Sequence, residues 1–287
     1  MGYNYKLFFC LGIFLVTAFT SCEVYNPAEP IPAYIHIDKI DLATTFGQGS
    51  NSHKITDAWV YIDEQLVGCY ELPATFPVLY EGSHQVKITP GIKVNGIAAT
   101  RSPYPFFNSS TQTINFQKGT TVNLSATVTY TVYADFDFLE DFEGSGIAID
   151  SSAGSDTTLQ RLFSPNPNVF EGDYSGIAYI NSNNNFFECV SSSAFVLPKG
   201  GANVFLELNY KCNHPFIVGV ISQPPYYLKS SSLTFNPSDT WNKTYVYLTP
   251  LISSSSAASF KIFFGMVKYA GDSDSLAFML DNLKLVY

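Results

Sequence analysis

A period of two governs this chain. In VNLSATVTYTV, residues 122 to 132, the apolar set Val122, Leu124, Ala126, Val128, Tyr130 and Val132 alternates with Asn123, Ser125, Thr127, Thr129 and Thr131. Successive side chains of an extended strand point to opposite faces, so this order makes one apolar and one polar face. SHQVKI repeats it, with His84, Val86 and Ile88 against Gln85 and Lys87. VFLELNYKC does so again, with Val204, Leu206, Leu208 and Tyr210 on one face and Glu207, Asn209 and Lys211 on the other. Turn formers separate such runs at Gly47-Gln48-Gly49, Glu81-Gly82, Lys118-Gly119, Lys199-Gly200-Gly201 and Gly271-Asp272. No long window carries helical spacing. A sheet with one apolar face must bury it, so the expectation is an all-β chain built of β-sandwiches.

The 287 residues allow one large or two ordinary domains. A change of texture near residues 133–138, from a long strand to ADFDFLEDFEGSG and Ser/Asn-rich loops, divides the chain into a domain at 33–133 and another at 137–287. The hydrophobic share of 46% is core-forming, whereas only 14% of residues are charged. Polar faces of Thr, Ser and Asn rather than Lys and Glu suit an exported sandwich. The net charge of -9, without a basic cluster, excludes nucleic acid as a partner, because phosphate binding needs clustered Lys and Arg.

The N-terminus is a separate element. Lys6 precedes the apolar run LFFCLGIFLVTAF, which is shorter than the ~20 residues that span a bilayer. A basic start, a short apolar core and small residues at its exit describe a secretion signal, residues 1–21. Phe19-Thr20-Ser21-Cys22 resembles a bacterial lipobox, with the looser first position of Bacteroidota-type lipoproteins. That resemblance implies lipidation of Cys22, attachment to the outer membrane, and an extended Pro-containing tether over residues 22–32. Which face of that membrane it occupies stays open, since Glu23 alone is a weak export signal. Cys10 would leave with the signal. Of the rest, Cys189 and Cys212 could bridge in an oxidising compartment, or could remain, like Cys69, small buried thiols.

The first domain resembles PEGA-type small sandwiches of Ig-like character over Ala58 to Ile88. Asp63 and Gly68 match the family's hairpin, Pro73 its crossing, and Gly82, His84 and Val86 its next strand. On this reading Asp63-Glu64-Gln65 is a hairpin tip and His84 a packed core residue. The second domain resembles galactose-binding-like jelly rolls, the fold of many carbohydrate-binding modules. LEDFEGSG matches the opening strand, DTWNKTYVYL a strand entered through Trp241, and SLAFMLDNLKLVY the closing strand. The resemblance places Trp241 under the sandwich edge. It also implies a structural calcium ion where first and last strands meet, held by Glu143 and Asp281 with Asp141 nearby. The plainer reading is that Asp281 and Asn282 cap a turn.

A sugar site needs aromatic platforms beside amides or carboxylates. Pro224-Pro225 presents Tyr226 and Tyr227, and INSNNNFFE offers Asn184 beside Phe186 and Phe187; the plainer reading is that these two rings straddle the sheet, one of them in the core. Catalytic signatures are missing. There is no G-x-S-x-G elbow and no H-E-x-x-H helix, and His36, His53, His84 and His214 are scattered. Glu140, Asp141 and Glu143 lack the alternation of sandwich glycosidases, which leaves a divergent glycosidase as a minor option. The expectation is therefore a non-catalytic envelope lipoprotein that binds carbohydrate. Its rival is a structural or accessory subunit of an envelope protein complex with no small ligand.

Overall fold

The computed structural model describes residues 29–225 and 227–287. The segment read as a secretion signal, with Cys10, then Cys22, the expected tether up to residue 28, and Tyr226 lie outside the described residues. Among those described, no helix is long and apolar enough to cross a membrane. The fold is all-β, with one short helix, α1 (Thr249–Ser253), among the described residues.

The first half contains β1 (Ala33–Ala43), β2 (Asp57–Ile62), β3 (Gln65–Glu71), β4 (Ala74–Val78), β5 (Gly82–Lys93), β6 (Arg101–Pro103), β7 (Ser110–Phe116) and β8 (Thr121–Thr129). β1 is central in a three-stranded sheet, antiparallel to β4 and parallel to β8. The facing sheet runs β3-β2-β5-β6, with β7 also paired to β5. Ile35, Ile37, Val60, Ile62, Val86, Ile88, Leu124 and Val128 fill the space between them. The β2–β3 connection is a two-residue turn in which Asp63 and Glu64 both have positive φ, the type I′ geometry that matches strand twist.

Two expectations change here. The alternation of residues 122–132 ends early: β8 stops at Thr129, Tyr130 bridges Phe107, and Val132 is exposed. His84 is at the rim rather than in the core. Its Nδ1 meets Asp63 Oδ2 at 2.6 Å and its Nε2 meets the Glu81 carbonyl at 3.0 Å, while its ring packs near Tyr80 and Phe116. The neighbouring hairpin tip supplies the charge that makes a rim position favourable.

The second half contains β9 (Phe138–Glu140), β10 (Ile149–Ser151), β11 (Gln160–Phe163), β12 (Tyr174–Ile180), β13 (Phe186–Ser191), β14 (Phe205–Cys212), β15 (Phe216–Ser222), β16 (Lys229–Phe235), β17 (Ser238–Tyr247), β18 (Phe260–Val267) and β19 (Leu276–Val286). A five-stranded sheet runs β10-β13-β18-β15-β16, and a six-stranded sheet runs β11-β12-β19-β14-β17 with β9 alongside β19. This is a jelly-roll sandwich. Phe187, Leu206, Leu208, Val218, Phe264, Phe278 and Leu285 are among its core residues. Cys189 and Cys212 belong to different sheets and are both free, as is Cys69. Burial pushes both thiols up, Cys212 to about 11, so they behave as inert apolar groups. Trp241 is half-buried against Phe170, with ring centroids 5.2 Å apart.

Part of the outer face of the six-stranded sheet, around β14 and the end of β19, is covered. Phe205, Tyr245 and Val286 join the first sandwich's apolar cluster. The segment 44–56, which follows β1, lies on this face: Ser52 Oγ donates to Asn209 Oδ1 (3.1 Å) and the Lys54 N–H donates to Tyr245 Oη (3.0 Å). Asn95 covers the exposed edge of β17, donating its N–H to the Tyr245 carbonyl and accepting from the Tyr247 N–H, both at 2.8 Å. Asp135, between the halves, exchanges backbone hydrogen bonds with Tyr287.

Candidate functional site

Three regions gather polar side chains where a ligand could meet them. The first is the cleft predicted to hold calcium. Phe142 anchors it: this residue is fully buried at positive φ, and its ring lies so close to Gly176 that a Cβ there would sit 2.4 Å away. Anchoring Phe142 directs Asp141 and Glu143 on either side into a cleft shared with Ser50, Glu171, Gly172, Asp281 and Asn282. Opening and closing segments of the second half thus line one cleft. Glu143 Oε1 accepts the N–H groups of Asp173 (2.9 Å) and Tyr174 (2.8 Å), over Gly172, where a Cβ would clash at 2.4 Å. Asp281 accepts from the Ser175 hydroxyl (2.5 Å) and the Asn282 N–H (2.8 Å). Burial pushes the Asp281 carboxyl up to about 7, with Glu171 and Glu143 adding to the effect.

All the side-chain acids here are oxygen donors, which suits a hard cation. Their spacing does not. Among the described residues, no three Asp, Glu, His or Cys side chains stand close enough to hold a metal ion. Asp281 spends both oxygens on protein donors. The neighbouring Glu140 does likewise, accepting the Phe142 N–H at 2.7 Å and the Ala148 N–H, so it acts as a buried loop cap.

The second region is the β15–β16 connection. Tyr227 is 71% exposed and Leu228 62% exposed. Both follow the Pro224-Pro225 pair. Ser222 accepts the Leu228 N–H (2.9 Å), which ties the loop back to the sheet. Leu228 forms one wall of a cleft of about 300 Å³ whose other walls include Ser222, Ser230, Ser254, Ser255 and Ser256, the last three at and after the end of α1. An exposed aromatic beside a hydroxyl-lined cleft offers an apolar platform and polar partners together.

The Asn-rich loop is elsewhere. Asn184 lies in a turn closed by Asn181, and Phe186 is half-buried at the start of β13, beside Asp156. Phe187 is fully buried. Phe186 pairs with Val267 at one end of β18, while Ser222, at the root of the Tyr227 loop, pairs with Phe260 at the other. About seven strand residues separate them, roughly 23 Å at about 3.3 Å per residue. Phe186 and Asn184 therefore do not share a site with Tyr227.

The third region went unread in the sequence. Glu207, on the outer face of β14, is 0% exposed. It accepts the hydroxyls of Tyr104 (2.8 Å) and Tyr130 (2.9 and 3.0 Å) from the first sandwich, and Lys243 Nζ stands 3.2 Å away. Lys284 donates to the Ser50 carbonyl and lies over the Tyr130 ring. Burial pushes the Lys284 ammonium down to about 8, and Lys243 nearby adds to that while Glu207 opposes it. Two tyrosines from one sandwich converge on a carboxylate of the other, across 77 and 103 residues of chain. The alternation of β14 placed Glu207 on a polar face, but nothing in it showed that the face was covered.

No family model matches the chain, and no curated protein matches it. Solved structures do. It is similar to a family 29 carbohydrate-binding module complexed with cellulohexaose, at 14% identity over 54% of this chain and 93% of that one, with a TM-score of 0.35. A family 61 carbohydrate-binding module in complex with β-1,4-galactotriose matches at 12% identity over 48% of this chain and 85% of that one, with a TM-score of 0.32. What the sites can do is decided by this chain's own residues.

Proposed function

We propose that this chain is a non-catalytic carbohydrate-binding protein of the cell envelope, tethered to the outer membrane through lipid on Cys22. The observation that carries the binding reading is Tyr227 on the loop that rims the serine-lined cleft. A pyranose ring has an apolar face and a hydroxyl edge. The exposed ring of Tyr227 suits the first, and the hydroxyls of Ser230, Ser254, Ser255 and Ser256 suit the second. Tyr226 belongs to the same loop by sequence.

Affinity electrophoresis against a panel of neutral polysaccharides tests this. Retardation by at least one polymer, lost in Tyr227→Ala, is the expected result. Retardation unchanged by that substitution, or none on any polymer, overturns the site. The tether has its own test: Cys22→Ala should move the protein from the membrane to the soluble fraction, and a protein that stays membrane-bound refutes lipidation there.

Calcium enters this reading only as a structural ion, at Glu143, Asp141 and Asp281, joining the two ends of the second sandwich. A melting temperature raised by calcium and lowered again by chelation supports it; one indifferent to both removes it. The rival reading, an accessory subunit of an envelope protein complex, draws on Val132 and Tyr133, which are exposed together at the junction of the halves.

A further inference from the structure

The serine-lined cleft opens into the sandwich itself. Residues directly opposite each other in antiparallel strands share a face. Ser230 stands opposite Val220, and Ser222 opposite Phe260; both partners belong to the core of the second sandwich. Two serines therefore occupy inward positions, which a sandwich ordinarily fills with apolar side chains. A local rule broken in this way marks a place where something besides packing is served.

The cleft has two chemical levels. The buried Val220, Ala257 and Phe260 lie deepest, and the half-buried Leu251 and exposed Leu228 continue the apolar surface outward. The serine hydroxyls stand around them. Among the described residues no charged side chain lines the cleft. Lys229, between Leu228 and Ser230 in sequence, pairs with Glu188 at 2.5 Å, and the Lys199 ammonium donates to the Ala257 carbonyl at 2.5 Å. The rim is already partly oriented. Ser255 Oγ accepts the Ala257 N–H at 3.1 Å, which leaves its own proton to donate. Ser254 points its hydroxyl at the Leu251 carbonyl, 3.3 Å away, which leaves its lone pairs to accept.

An unsubstituted hexose would use the rim and leave the apolar level empty, because its ring substituents end in hydroxyls. We propose that the cleft selects sugars that carry an acetamido group. The methyl rests on Leu251 and the apolar level beneath it, the carbonyl accepts from Ser255, and the N–H donates to Ser254, while the pyranose ring reaches Tyr227. This rests on the carbohydrate reading of the same cleft and narrows it to N-acetylated amino sugars. A methyl group moved out of water is worth about fourfold in affinity and a hydrogen bond between neutral partners about fivefold, so a preference of about tenfold or more follows.

Calorimetric titration of the whole protein with N-acetyl-D-glucosamine and N-acetyl-D-galactosamine tests the proposal, with D-glucose, D-galactose and L-fucose as controls. The expected result is saturable binding of at least one acetamido sugar, about tenfold or more tighter than every control. Ser255→Ala and Leu228→Ser should each reduce that ratio about threefold or more, whereas Tyr227→Ala should weaken all bound sugars together. Equal affinity for glucose or galactose, lost in Tyr227→Ala, overturns the acetamido assignment and leaves the carbohydrate reading standing. Equal affinity for L-fucose also overturns it, since a methyl without an amide would then suffice. No saturable binding of either acetamido sugar overturns it too, and retardation by the polysaccharide panel then decides the broader reading by itself. Near-ultraviolet circular dichroism checks that the variants are folded, and Ser256→Ala replaces any that is not. A ratio unchanged in every folded variant overturns the placement of the acetamido group.

Discussion

The two faces of β14 are both buried, by opposite chemistry. Leu206 and Leu208 face the interior of the second sandwich, where apolar contact needs only shape. Glu207 and Asn209 face the first sandwich, where each contact is directional: two tyrosine hydroxyls and Lys243 around Glu207, Ser52 on Asn209. An apolar interface would hold the halves together in several registers. A carboxylate that must receive two hydroxyls from fixed positions accepts far fewer. The apolar face stabilises a sandwich, and the polar face decides how its neighbour sits on it.

Substitutions on the two faces sharpen this contrast. Glu207→Ala leaves Lys243 buried without its counter-ion and should cost about 3–5 kcal/mol in chemical denaturation. Leu208→Ala, one residue on, should cost about 2–5 kcal/mol by opening a cavity. If Glu207→Ala costs less than about 1 kcal/mol, the network is incidental and the contrast fails. The two should differ in kind as well. Loss of Glu207 should let the halves melt separately, seen as a second calorimetric transition, whereas loss of Leu208 should weaken the second sandwich itself.

Lys284 gives the same face a signature in pH. Its folded pKa of about 8 lies below the ~10.4 of a free lysine, so between those values the unfolded chain binds more protons. Stability should therefore rise with pH from about 8 towards 10, by about 2 kcal/mol, and Lys284→Met should flatten the rise. The scan should stop near pH 10. Beyond it, burial of Tyr104, Tyr130 and Tyr245, which pushes their hydroxyls up, makes stability fall again. Tyr245→Phe removes the acceptor of the Lys54 N–H and should cost about 1 kcal/mol.

The smallest effect belongs to His84 and Asp63, far from the junction. Their contact holds the histidine up and the carboxylate down from their ordinary values. The carboxylate's share is lost as pH falls below about 4, and the histidine's share is lost as pH rises above about 6.5. Asp63→Asn should remove a shallow stability maximum between those limits and leave the junction untouched.

The strands were legible because alternation is local. A run such as Val122 to Tyr130 declares its two faces without reference to anything distant. The β2–β3 turn was legible for the same reason, since Asp63 and Glu64 sit between two apolar runs. The meeting of Glu143 and Asp281 was legible only through resemblance to a family. What alternation could not say is what covers a polar face. Glu207 reads the same whether water or Tyr104 lies above it, and Tyr104 is 103 residues distant. Val132 shows the converse limit: its place in the period is apolar, but the chain has already turned away from the sheet. The separation of Phe186 from Tyr227 depended on strand register, which no single strand contains.

The position of β1 has a mechanical consequence. It is hydrogen-bonded on both sides, to β4 and to β8, and the segment that follows it is fastened to the second sandwich. Suppose the protein is held from its N-terminal side while the second sandwich grips something else. The load then enters β1 at Ala33 and leaves it beyond Ala43, along the strand axis. Both ladders of hydrogen bonds are sheared together instead of being peeled one at a time. A strand loaded in that direction resists through two ladders at once, more stiffly than a strand peeled from a sheet edge.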